Sequence, residues 1–204
     1  MDPKWILKGL VESVLVVGSI LLALAVDEWS QSKEYADLAD QTLAIFDNEI
    51  RQNRARIADL SPYHQGIRDL LGQMMGQEAG QLDVRPIVEG FEAPVLLNTA
   101  WETALATGAL THMGVDVVSA LSLTYSIQEG FEERTRADRP RFQGPGTLSS
   151  AQNREQVADA YQYVASIARA EAELLSVFDQ ALEVIHGARG GSTATSDSSP
   201  ESEP

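Results

Sequence analysis

From Ser13 to Val26 the chain reads SVLVVGSILLALAV, a run without a charge or a polar face, and beyond it apolar residues recur at helical spacing through most of the sequence. Trp5 and Trp29 frame the run, with Lys4 and Lys8 before it and Asp27 and Glu28 after it. At about 1.5 Å per residue, the chain between the two tryptophans spans about 36 Å, which sets their amphipathic rings at the two edges of a hydrocarbon core about 30 Å thick. The pattern predicts one membrane-spanning helix. The uncharged run alone covers only about 21 Å, so the span takes in Lys8 and Glu12. Lys8 can snorkel to the interface and lies one helical turn from Glu12, so the expectation is an interfacial pair. Glu12 is nonetheless a candidate interaction residue, because an acid inside the hydrocarbon boundary is costly and often marks a helix contact; one acid without a second span builds no ion path. Gly9 with Ser13, and Ser19 with Ala23, have the small-xxx-small spacing that admits a second helix.

A cleaved secretory signal is the rival reading, since Ala23-Leu24-Ala25 has the form a signal peptidase needs. Against it, Glu12 sits where the apolar region should already have begun, and Trp29 is placed as an interface anchor. The lysine bias puts the N-terminus in the cytoplasm and exports the bulk of the chain. The expected location is the inner membrane, single-pass, with a periplasmic or extracytoplasmic domain.

In that domain two segments carry a heptad spacing. Ala39, Leu43, Phe46, Ile50, Asn53, Ile57 and Leu60 alternate by four and three, and so do Val157, Tyr161, Val164, Ala168, Glu171, Leu175, Phe178, Leu182 and Ile185. Each predicts a helix with one narrow stripe turned to its neighbours, packed nearly parallel or antiparallel in a bundle. Asn53 and Glu171 are the polar misfits, read as core polar groups bonded to a neighbour that fix register at some cost in stability.

Between these segments, Ser61-Pro62 reads as a cap and first-position proline opening a separate helix with Ile67, Leu70, Leu71, Met74 and Met75. Residues 77–93, with Gly80, Gly90 and Pro86, lack a period and predict an irregular crossing. Thr99-Ala100-Trp101-Glu102 has the capping-box form, and Gly108 should end the helix it starts. Residues 115–136 predict another helix and 140–146 a turn-rich loop. The Ser, Thr, Pro and Glu composition from Gly190 onward predicts a disordered tail. The organisation expected is therefore all-α: a transmembrane anchor over 1–29, a bundle of about five helices over 30–188, and a disordered tail over 189–204.

Charge narrows the partners. Asp2 and Glu12 balance Lys4 and Lys8, so the net charge of −15 falls on the remainder, which argues against a nucleic-acid partner. Cysteine is absent, so disulfides and thiolate metal sites are excluded.

Glu12, the run from Val16 to Leu24, Trp29, Glu49-Ile50 with Asn53, and later Trp101, Gly108, Leu121 and Tyr125 together resemble a family of uncharacterised bacterial single-pass membrane proteins. The resemblance covers residues 10–60 and 98–128. It implies an uncleaved N-terminal anchor continuing into a helical extracytoplasmic domain, and it makes Glu12, Asn53, Trp101 and Tyr125 positions to test without giving them a role. The family has no assigned activity.

Chemistry is thin. Of the three histidines, His64, His112 and His186, only Glu183-Val184-Ile185-His186 has an E-x-x-H spacing, and a di-iron bundle needs a second copy and two further glutamates. His186 reads instead as an exposed residue near a helix C-terminus, where its charge is favoured. No G-x-S-x-G, P-loop, H-E-x-x-H or EF-hand loop occurs. No catalytic residue, cofactor or metal is expected, and an enzyme is not the reading. Glu132-Glu133 and the acids from Asp37 to Asp40 read as solvated faces, and Trp101, beside Leu97 and Leu105, as core. The sequence points to a membrane-anchored helical interaction or scaffold protein, with the bilayer and another membrane or periplasmic protein, or itself, as partners. The alternative is an extracytoplasmic ligand-binding or sensor module signalling through a membrane partner.

Overall fold

The computed structural model describes residues 3–76, 87, 91–137 and 150–195, with side chains placed over 14–76, 87, 91–136 and 154–190. Every regular element among these is helical. Helix α1 runs Pro3–Met75, α2 runs Thr99–Thr107, a 3₁₀ turn covers Ala109–His112, α3 runs Val115–Ala137 and α4 runs Ser150–Thr195. Among the described residues there are four long α-helices, close to the expected number of about five; the apolar run, the first heptad segment and the segment after Ser61 are one 73-residue helix, about 110 Å long.

The helix passes through Pro62 for a reason visible in its exposure pattern. Proline removes one hydrogen bond, leaving the Ala58 carbonyl without its usual donor, but Pro62 faces solvent, where water can satisfy that carbonyl. On the opposite face the buried stripe continues unbroken through Ile57, Ser61, His64, Ile67 and Leu71. Packing on both sides of the proline outweighs its local signal. Leu60, expected on the seam, is half-buried, and Ser61 takes the buried position.

Over residues 14–37 α1 is exposed all round, and near its N-terminus the helix is, by length and composition, long and apolar enough to span a membrane. From Ala39 onward it packs against α4, which runs antiparallel to it. Arg189 meets Asp40, His186 meets Asp47, Arg54 meets Asp179, His64 meets Glu171, and Tyr161 lies against Gly72. The buried face of α4 is wider than the predicted stripe, since Ala160, Ile167, Ala170, Leu174 and Ala181 join the heptad positions while Tyr161 and Leu175 stay half-buried. The cause is that α4 packs against both α1 and α3 and so must bury two adjoining faces. Its helix continues through Thr195, past the expected boundary at 188. The remainder of the tail, the 140–146 loop, most of 77–90, and the Lys8 and Glu12 side chains lie outside the described residues.

Candidate functional site

Segment 91–98 carries no helical bonds of its own. A buried backbone must find partners elsewhere, and here side chains of α1 supply them in antiparallel order. His64 meets the Glu92 carbonyl at 2.7 Å, Arg56 donates to the Val95 carbonyl at 2.8 Å, and Asn53 engages Leu97. Asn53 uses both ends of its amide. Its Oδ1 accepts the Leu97 N–H at 2.9 Å while its Nδ2 donates to the Leu97 carbonyl at 2.7 Å and to Gln128 Oε1 at 3.1 Å. Gln128 Nε2 donates to the same carbonyl at 2.9 Å. Because the Leu97 N–H can only donate, the orientation of the Asn53 amide is fixed.

Glu49, one turn before Asn53, closes the lattice. Its carboxylate accepts the Thr99 hydroxyl at 2.7 Å, the Ala100 N–H at 2.9 Å and the Tyr125 phenol at 2.7 Å. Ala100 N–H is one of the free donors in the first turn of α2, so a carboxylate from α1 caps that helix, with the helix dipole in its favour. The capping box expected within 99–102 does not form. Thr99 is already the first helical residue, its hydroxyl is turned to Glu49, and Asn98 at the cap position makes no capping bond but donates from its side chain to Glu102 Oε1 at 3.0 Å. Gly108 does end α2, with φ at 72°, a conformation that favours glycine.

Tyr125 is buried, and that burial, reinforced by the Glu49 carboxylate, pushes its phenol well above the ordinary tyrosine range. Its ring stacks on Trp101 at 5.6 Å, and Phe46 touches both at 5.8 and 6.4 Å. Trp101 is therefore core on one face only. Its other side lines a cleft of about 450 Å³ between α2 and α3, rimmed by Glu102, Glu129, Glu132 and Glu133 with Arg136 as the nearby cation. Glu132 is pushed above the usual carboxylate range by its partial burial and by Glu129, against the opposing pull of Arg136.

Three of the residues singled out in the sequence thus converge: Asn53, Trp101 and Tyr125 stand around the start of α2. Glu171 lies apart, fully buried, with its Oε1 2.5 Å from His64 Nδ1. The Glu12 side chain is outside the described residues. Among the described residues no group of three His, Asp or Glu side chains is arranged to hold a metal ion. His186 is exposed, as expected, but α4 runs on to Thr195, so it does not stand at a helix end; it meets Asp47 at 2.8 Å. Sequence reasoning did not assign roles to Glu49, Arg56, His64 and Gln128. Glu49 and Arg56 lie a helical turn either side of Asn53, a spacing that places all three on one stripe and was the available signal.

The site is therefore a buried polar lattice that fixes one short helix, with an acidic, aromatic-walled cleft beside it. No protein-family model, curated protein or solved structure matches the chain.

Proposed function

We propose that the chain is a membrane-anchored helical interaction protein, held in the inner membrane by the start of α1 with its N-terminus cytoplasmic and residues 30–188 outside the cytoplasm. One observation carries the reading: α1 continues without a break from its exposed apolar run into the core, so the domain is fixed at a set height and orientation above whatever holds that run. A rigid stalk serves a protein that presents a surface. The surface best suited is the α2–α3 cleft, whose position is set by the lattice around Glu49 and Asn53 and whose carboxylate rim favours a basic segment of a membrane or periplasmic partner.

The second reading, a ligand-binding module, draws support from the same cleft, since about 450 Å³ lies within the usual range for small-molecule sites. Crosslinking pull-down of the full chain from native membranes, repeated with Glu129→Lys and Trp101→Ala, tests both. Loss of the same captured protein in both variants supports the interaction reading. Capture unchanged by either variant contradicts the assignment of this surface.

A further inference from the structure

His64, on α1, is held by two other parts of the fold at once. On α4, Glu171 Oε1 stands 2.5 Å from its Nδ1; on the extended segment, the Glu92 carbonyl stands 2.7 Å from its Nε2, and the Phe91 ring stacks on the imidazole at 4.5 Å and 20°. Both His64 and Glu171 have zero exposure.

Hydrogen-bond chemistry fixes how many protons this arrangement needs. A carbonyl oxygen only accepts, so Nε2 carries a hydrogen. A contact of 2.5 Å between Nδ1 and Oε1 also requires a hydrogen between them, since a bare ring nitrogen would set its lone pair against those of the carboxylate. The pair together therefore holds one proton more than a neutral imidazole and a carboxylate would. Glu171 Oε2, buried without a partner among the described residues, sharpens the point. With no second donor to stabilise it, a full negative charge there is costly, and the shared proton is what makes the burial tolerable.

We propose that His64 and Glu171 form a one-proton latch that pins the start of segment 91–98 to the α1–α4 pair, and that withdrawing the proton releases it. Release reaches the cleft, because the same segment leads through Leu97 and Asn98 into the first turn of α2, which carries Trp101. The other titratable and charged groups nearby are Tyr63 on α1, 5.3 Å away ring to ring, Arg68 a turn further on and paired with Asp69, Glu92 on the segment, and Tyr163 on α4 against Phe91.

Glu171→Gln separates the latch from these groups. A glutamine amide can donate to Nδ1 of a neutral imidazole and so replaces the shared proton with one that does not titrate. Hydrogen exchange of the full chain in detergent, followed by mass spectrometry over 91–98, is the measurement. At neutral pH the wild type and Glu171→Gln should exchange alike, while His64→Gln should exchange about tenfold faster there, the shift expected from losing one buried hydrogen bond. As pH is raised, the wild type should exchange progressively faster than Glu171→Gln at the same pH, by about tenfold when the latch is open. A ratio near one at every pH, or unchanged exchange in His64→Gln, overturns the proposal. Should Glu171→Gln fail to fold, nitrogen NMR of wild-type His64 decides. A strongly downfield proton shared at Nδ1 is expected, and an Nδ1 carrying neither proton nor hydrogen bond refutes the latch.

Discussion

Glu49 and Tyr125, on α1 and α3, are joined by a buried hydrogen bond of 2.7 Å from the phenol to the carboxylate, and the other carboxylate oxygen caps α2. One side chain thus fixes the relative positions of three helices. Tyr125→Phe leaves Glu49 Oε1 without its donor and should cost about 1–3 kcal/mol of stability. Glu49→Gln also loses the charge that favours the α2 N-terminus and should cost at least as much. In the double variant the losses should differ from their sum, since both changes alter the same bond. Urea unfolding of the four proteins in detergent checks this, and strict additivity would mean that the bond contributes nothing.

Pro62 gives a sharper test of the continuous α1. If the helix runs through it, Pro62→Ala restores the bond to the Ala58 carbonyl on an exposed face, and the melting temperature should be unchanged or raised. If Pro62 instead began a separate helix, alanine would remove a favourable first-position residue and lower it.

Both heptad segments were legible because burial follows a 3.6-residue period, and nearly all of their apolar positions are buried. Asn53 and Glu171 stood out as misfits in those stripes, and each proves to be bonded to a neighbour. The Ser61-Pro62 pair does not break the helix because proline acts locally, whereas Ile57, Ile67 and Leu71, packing on the far side, carry the helix through. The expected cap of α2 fails for a related reason. Thr99 and Glu102 have the right spacing, but the Glu49 carboxylate takes the Thr99 hydroxyl and the Ala100 N–H, and nothing near residue 99 in the sequence reports that. The pairing of His64 with Glu171 depends on the antiparallel register of α1 and α4, which spacing within either helix does not contain.

That register is clasped at the surface by Asp47 with Arg51 and His186, and by Asp179 with Arg54 at 2.6 Å. The Arg51 hydrogen bond holds Asp47 below the ordinary carboxylate value of 3.8, and Arg54 does the same for Asp179. An acid whose value is lowered in the folded state contributes stability that is complete above its unfolded value and is lost as pH falls through the folded one. The clasps should therefore weaken below about pH 4, and only modestly, because Asp179 and Arg54 are substantially exposed and screened by salt. Comparing urea midpoints at pH 7 and pH 3, the drop should be smaller in Asp47→Asn/Asp179→Asn than in the wild type. An equal drop would place the acid sensitivity elsewhere.

The claim on which the functional reading stands is that the apolar start of α1 stays attached and holds the domain at a membrane. The intact mass of the protein extracted from native membranes tests it directly. The expected result is a membrane-fraction species that retains residues 1–25; a soluble species beginning at Val26 would contradict attachment.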